Sequence, residues 1–288
     1  MTLNHRTGAT AAAATLLAML GLAVPPAASA DDVLAEVIAG DWRPDAHRAR
    51  DDERNPQASL EFWGLAPGMD ILELAPGAGW WTHILAPYAD RTGGRYFATA
   101  ADLDDPELDD RWRQGRAAFE RRFVEQPEIY GDVELINFGA RSAPLPEAAF
   151  DFILTARAVH GWIRWGLDDK VVEELSAALR PGGILALKQH RAAPGPADPE
   201  RFAETGYVTE AWVIERFEAA GLELVERSEI NANPDDTRDH PFGVWTLPPT
   251  RASSMYGTGD PPDPDFDHAP YDELGESDRM TLKFRRPR

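Results

Sequence analysis

The chain has 288 residues, no cysteine and a formal charge of −20. The missing thiols exclude disulfides and cysteine-based metal or nucleophile chemistry. Acids spread along the whole length leave no basic patch to displace counterions, which argues against nucleic acid and against an anionic membrane surface as partners.

Residues 1–30 read as a secretory signal peptide. Arg6 supplies a short basic start, Ala9 to Val24 an apolar stretch, and Ala28-Ser29-Ala30 a small-residue cleavage site followed by Asp31-Asp32. Gly21 and Pro25-Pro26 cut the apolar run short of the roughly 20 residues a membrane span needs. The mature protein is expected to start at Asp31, to be periplasmic or secreted, and to have no membrane contact after cleavage. About 258 residues then remain, enough for one large α/β domain with its own core.

Residues 31–64 are expected to be helical, with Val33, Leu34, Val37 and Ile38 on one stripe and Pro56 opening a second helix that Gly64 ends. From there strand and helix patterns alternate. Met69–Leu74 reads as a strand, Trp81–Tyr88 as a helix, Tyr96–Thr99 as a strand and Pro106–Val124 as a long charged helix. Val133–Phe138 and Phe150–Thr155 read as strands, Asp169–Leu179 as a helix and Ile184–Lys188 as a strand. Thr209 is expected to cap a helix carrying Trp212, Val213 and Phe217, and Leu222–Val225 follows as a strand. Residues 228–268 lack periodicity, and a loop of that length in a compact domain is usually functional. Met280–Phe284 restores alternation. Strands alternating with helices imply a mainly parallel sheet covered on both faces.

The most informative stretch is Ile71-Leu-Glu-Leu-Ala-Pro-Gly-Ala-Gly79, a strand ending in an acid, a small-residue loop and then a helix. Open α/β sheets build nucleotide crevices this way, and glycine lets a ligand approach the backbone closely. Three further blocks follow in order: Leu145-Pro146 with Phe150-Asp-Phe-Ile-Leu154, Leu179-Arg-Pro-Gly-Gly-Ile-Leu-Ala-Leu187, and Ala219-Ala-Gly-Leu-Glu-Leu224. Together these resemble the class I methyltransferases that use S-adenosylmethionine. The continuation Gly79-Trp-Trp-Thr82 and the tail pieces Ile230-Asn-Ala-Asn-Pro234, Gly243-Val-Trp-Thr-Leu-Pro-Pro249 and Gly275-Glu-Ser-Asp-Arg-Met-Thr-Leu282 resemble a group of exported predicted methyltransferases. The resemblance implies a Rossmann-like α/β fold. Its sheet would have seven mostly parallel strands with helices on both faces, the last strand antiparallel beside the fifth after a loop-rich insertion. The expected organisation is a leader over 1–30, a helical segment over 31–64 and the α/β domain over 65–288, including the tail 228–279.

The resemblance also implies a cofactor wall made by Glu73, Ala75, Pro76, Gly77, Ala78 and Gly79, so that a side chain at Gly79 would block the crevice. Ala75 stands where the family has its first glycine. The ribose-binding acid of the second strand is not matched within Phe97–Ala101, which leaves Asp102 as the candidate, and Asn137–Arg141 offers no acid after the third strand. His160 follows the fourth strand and His190-Arg191 the fifth, so both imidazoles should face the crevice. They suit general-base catalysis or, with a carboxylate, a metal, although no metal site is assigned. Arg191 could hold a carboxylate or phosphate of the substrate. Asp239-His240 could belong to a lid. Trp80, Trp81, Trp162 and Trp165 lie near the crevice as packing or as a planar-ligand surface.

The expected function is S-adenosylmethionine-dependent methylation of a small molecule outside the cytoplasm. The alternative is the same fold without that cofactor, as a histidine- or metal-assisted lyase or hydrolase, or as a binding protein. Export favours the alternative, because the cofactor is made inside the cell.

Overall fold

The computed structural model describes residues 1–2 and 30–288. The expected leader lies almost wholly outside the described residues. Four short helices open the described chain: α1 (Ala30–Ile38), α2 (Asp45–Arg48), α3 (Asp51–Arg54) and α4 (Pro56–Trp63). Then come β1 (Asp70–Leu74), α5 (Thr82–Thr92), β2 (Arg95–Ala101) and α6 (Asp110–Phe119), which runs into a π-helical turn at Glu120–Val124. They are followed by α7 (Pro127–Tyr130), β3 (Val133–Phe138), β4 (Phe150–Ala156), α8 (Val159–Arg164), α9 (Asp168–Ala178) and β5 (Leu179–His190). The chain ends with α10 (Pro199–Thr205), α11 (Glu210–Ala219), β6 (Glu223–Ser228), β7 (Pro241–Val244), α12 (Ala269–Leu274) and β8 (Arg279–Arg285).

Seven strands form one sheet in the order β3-β2-β1-β4-β5-β8-β6. Strands β1 to β5 run parallel, and β8 is antiparallel to both β5 and β6. This is the Rossmann-like sheet expected from the sequence, with its last strand beside the fifth. Strand order reverses between β1 and β4, and the crevice beyond the carboxyl ends at such a reversal is where these sheets take ligands.

The period of two along each strand divides the core. Leu72, Leu74, Ile153, Leu185 and Leu187 pack with α8, α9 and α11 on one face. Ile71, Phe152, Leu154 and Ala186 pack with α1, α4 and α5 on the other. The N-terminal helices are fixed to this second face. Trp63 is fully buried and its indole N–H donates to the carbonyl of Leu282 on β8 at 2.9 Å.

Several boundaries differ from expectation. The charged helix begins only at Asp110, because Asp109 caps it by accepting from the Arg111 amide at 2.7 Å. Thr209 does sit at the N-cap of α11, but its hydroxyl makes no capping bond. The tail is not wholly irregular, since it contains β7 and α12. Four- to six-residue elements leave too short a pattern for periodicity to register.

Candidate functional site

The loop after β1 turns through alternate left-handed residues: Ala75 at φ +53°, Gly77 at +59° and Gly79 at +80°. Residues 75, 77 and 78 are exposed, whereas Gly79 is buried. A side chain at Gly77 would enter open space, with no protein atom within 4 Å of its Cβ. That is a cradle a ligand can use, and it fits a group that needs close backbone approach. Gly79 corrects the sequence expectation. Its missing side chain makes room for Phe123 of the π-helical turn, whose Cζ would lie 2.2 Å from a Cβ there. A substitution at Gly79 therefore disturbs packing before it touches a ligand. Ala75 carries the strain of a left-handed non-glycine residue, and its amide is held by Thr99 Oγ1 at 2.8 Å. Ala75→Gly is expected to stabilise the fold by up to about 1 kcal/mol. Thermal melts check this, and a lower melting temperature would contradict it.

Glu73 spends one carboxylate oxygen on the protein. Its Oε2 accepts from Thr82 Oγ1 at 2.9 Å and from the Tyr96 hydroxyl at 2.6 Å. The side chain lies beneath the loop, tying β1 to β2 and to the first turn of α5. Burial pushes its carboxyl up to about 7, against the pull of those two hydroxyls. Asp102 is buried directly after β2, beside Gly139, with Oδ1 accepting from the Asp104 amide at 3.1 Å. It stands at the strand end where a ribose-binding acid is expected. Arg116 from α6 crosses the same strand ends, donating to the carbonyl of Ala101 at 2.7 Å and to Asn137 Oδ1.

Both sequence-predicted histidines reach the same rim as the loop. Leu74 pairs with Thr155 on β4, and Ala156 pairs with Lys188 on β5. The His160 and His190 rings lie 5.7 Å apart. Burial, then the charges of Arg164 and Arg157, lowers His160 to about 3, and burial holds His190 well below the usual imidazole range. Both are neutral at pH 7. Gln189 fixes the His160 tautomer. Its amide oxygen accepts from the Val159 N–H at 3.2 Å and its amide nitrogen donates to the Gly206 carbonyl at 2.9 Å. The same nitrogen therefore faces His160 Nδ1, at 3.1 Å, as a donor. Nδ1 accepts, so the ring proton sits on Nε2 and His160 is a hydrogen-bond donor. The expectation of a general base at His160 is corrected on this ground. His190 Nδ1 contacts Ser277 Oγ at 2.5 Å. Neither Nε2 has a protein partner, and neither is sealed from solvent.

Arg191 does not serve as the expected anion holder. Nε and Nη2 pair with Asp278 at 3.0 and 2.9 Å, while Nη1 and Nη2 pair with Glu229 at 2.8 and 2.7 Å. Its whole fork is committed to protein carboxylates. The proposed lid is likewise tied down. The buried Asp236 accepts from His240 Nε2 at 2.8 Å, from the Tyr207 hydroxyl at 2.9 Å and from the Asp278 amide at 2.7 Å. Trp80, Trp81 and Trp162 are buried packing residues, whereas Trp165 is 51% exposed and meets Trp112 edge-on at 5.5 Å.

Sequence reasoning missed a cation cluster between the loop and the histidines. Arg50 Nε and Arg54 Nε donate to Glu276 Oε1 at 2.6 and 2.9 Å, and Arg279 Nη1 donates to Oε2 at 2.7 Å. Burial alone would raise the Glu276 carboxyl, but Arg279, Arg54, Arg50 and Arg157 outweigh it and hold it down to about 2. Lys188 Nζ donates to the Arg54 carbonyl at 3.0 Å and to Asn231 Oδ1 at 3.1 Å, and it lies 4.9 Å from the Trp81 ring centre. Arg54 lies 4.8 Å from the centre of Trp80. The signal for this cluster was spread over four distant segments, so no local motif could reveal it.

The titrations of this rim predict acid lability. Burial, assisted by nearby arginines, lowers His47 to about 4; burial, then the charge of His47, lowers His83 to about 3. With His160, these imidazoles take protons in the unfolded chain near pH 6.5 but not in the folded one until about pH 3–4. Their contribution is full above pH 6.5 and lost as pH falls. Glu73 opposes them, because its raised folded value gives a contribution lost as pH rises toward 7. Three groups outweigh one of comparable shift. The melting temperature is expected to fall from pH 7 to pH 4, and a rise over that interval would contradict the assignment.

Residues 72–187 match the family described as a methyltransferase domain. The ubiquinone/menaquinone biosynthesis C-methyltransferase UbiE of Shewanella sediminis is 27% identical over 45% of this chain and 45% of its own. That of Shewanella woodyi is 28% identical over 44% and 45%. The chain thus spans about half the length of these curated relatives. Among solved structures, the [4+2]-cyclase SpnF superposes with a TM-score of 0.57 at 18% identity, covering 91% of this chain and 98% of its own. The last likeness concerns the fold, while the sequence match concerns the domain. Over residues 72–187, less than half of its length, the chain is thus similar to a methyltransferase domain.

Proposed function

We propose that the protein transfers a methyl group from S-adenosylmethionine to a small molecule, and that it does so outside the cytoplasm after removal of residues 1–30. The observation that carries the reading is the exposed left-handed loop 75–78, open above Gly77, on the rim that also presents His160 and His190. Ala75, Pro76, Gly77 and Ala78 would hold the amino-acid part of the cofactor, and Asp102 the ribose. When bound, the cofactor supplies an electrophilic methyl group. The chain's own part is mainly positioning. His160 offers its Nε2–H to an acceptor oxygen or nitrogen. In the tautomer whose Nδ1–H donates to Ser277 Oγ, His190 has its Nε2 lone pair open to take a proton from the nucleophile. The depressed basicity of His190 suits a nucleophile that loses its proton late, as attack proceeds.

Calorimetry of the mature protein tests the reading. Saturable binding of S-adenosylmethionine and of S-adenosylhomocysteine is expected, and no heat at millimolar cofactor would sink it. A second reading is favoured by Ala75 at the first-glycine position and by Phe123 over Gly79, which narrow the loop. It is a methyltransferase fold that runs histidine-assisted chemistry without methyl transfer. Binding of the cofactor with no methylated product from any acceptor would support it.

A further inference from the structure

The rim carries more positive charge than the protein neutralises, in a chain whose net charge is strongly negative. Arg50, Arg54, Arg157, Lys188 and Arg279 crowd around the carboxylate of Glu276, with Glu53 acting besides on Arg279. Arg54, Lys188 and Arg279 are 3%, 2% and 2% exposed. Among the described residues the Arg157 guanidinium makes no hydrogen bond or ion pair, and Arg54 Nη2 is buried without a partner. A buried charged donor left this way, such as Arg54 Nη2, costs several kcal/mol unless something satisfies it, whereas Arg157 is half-buried and its fork stays open to solvent. Arg157 also sits in a left-handed backbone conformation, φ +59°, at the end of β4. Strain of that kind persists where the surroundings over-determine it, often at ligand sites. The amide of Arg157 is pinned to the Lys188 carbonyl at 2.7 Å, so the two cations are held at adjoining strand ends. Crowding shows in their basicity: burial and neighbouring charge lower Arg54 to about 8 and Arg157 to about 10. A nearby cavity of about 160 Å³ does not compete, because the carboxylates of Asp52, Glu53 and Glu276 outnumber Arg279 in its lining.

We propose that Arg54, Arg157 and Lys188 form an anion seat that receives a carboxylate or phosphate group of the acceptor substrate, between the Gly77 loop and the two histidines. The substrate is then a small anion, oriented by its charged end with its nucleophile toward His160 and His190. This rests on the methyltransferase reading for the word substrate, but the seat itself stands on the cation geometry alone. It takes the role that sequence reasoning gave to Arg191, whose fork is already occupied.

Inorganic phosphate is the probe, titrated at low ionic strength into the mature protein alone and into protein saturated with S-adenosylhomocysteine. Saturable phosphate binding is expected in both, followed by calorimetry and by tryptophan fluorescence through Trp80 and Trp81. Arg157→Gln should weaken phosphate about tenfold or more while leaving S-adenosylhomocysteine affinity within about twofold, and Arg157→Lys should restore most of the phosphate affinity. Melting curves of each variant separate a lost fold from a lost seat. Absence of phosphate binding in the wild-type protein would overturn the proposal, as would equal phosphate affinity in Arg157→Gln. Displacement of phosphate by S-adenosylhomocysteine, with loss of both ligands in Arg157→Gln, would also overturn it by assigning the seat to the cofactor's own carboxylate. Phosphate binding with no S-adenosylhomocysteine binding would leave the seat standing and sink the methyltransferase reading.

Discussion

Gly77→Val is expected to abolish S-adenosylmethionine binding, with a loss of affinity of at least about a hundredfold, while the sheet stays folded. Two separate effects underlie this. The Cβ would stand in the open space above the loop, where a cofactor must approach the backbone. A β-branched residue at φ +59° would also shift the loop. Ala75, at φ +53° two residues earlier, shows that this loop survives one left-handed side chain at a cost of about 1–2 kcal/mol. A modest fall in melting temperature is therefore expected beside the large loss of binding. Calorimetric titration reads the affinity, and an unchanged value would remove Gly77 from the cofactor site. Gly79→Ala should behave oppositely, because its Cβ meets Phe123: stability should drop first.

Glu276→Gln is expected to cost the largest amount of stability of any single polar change on the rim. The carboxylate is buried at 4% exposure and anchors Arg50, Arg54 and Arg279 directly. Removing one partner of a buried ion cluster leaves uncompensated charge, which typically costs about 3–5 kcal/mol. For a domain of this size that is a fall of roughly 6–20 °C in melting temperature. The N-terminal helices should loosen with it, since α3 reaches the tail through Glu276. A melting temperature within about 2 °C of wild type would mean that solvent already neutralises the cluster.

The architecture was legible because it rests on repeated local signals. Strand-length apolar runs, Gly-Pro punctuation and four ordered blocks give the alternation of strands and helices, and the family resemblance, not chain order, puts the last strand beside the fifth. Short elements such as α8, α10 and β7 were not legible, because each has under about two turns or two pleats of pattern. The rim residues were legible in position but not in role. His160 and His190 fall at adjacent strand ends as expected, but Gln189 decides which nitrogen carries the His160 proton, and only the fold brings its amide between Val159 and Gly206. Glu73 and Arg191 look like ligand groups in sequence because their partners, Thr82 with Tyr96 and Asp278 with Glu229, come from other elements. The cation cluster was illegible for the same reason. Arg54, Arg157, Lys188 and Arg279 are separated by about 30 to 100 residues, and each alone reads as a solvated surface charge.

A crystal structure of the mature protein with S-adenosylhomocysteine tests the central claim most directly. The ligand is expected on the carboxyl rim of the sheet, its amino-acid end against residues 75–78 and its sulfur facing the His160–His190 pair. Density for the ligand on another face of the sheet, or a loop 75–78 left bare at saturating ligand, would contradict the account.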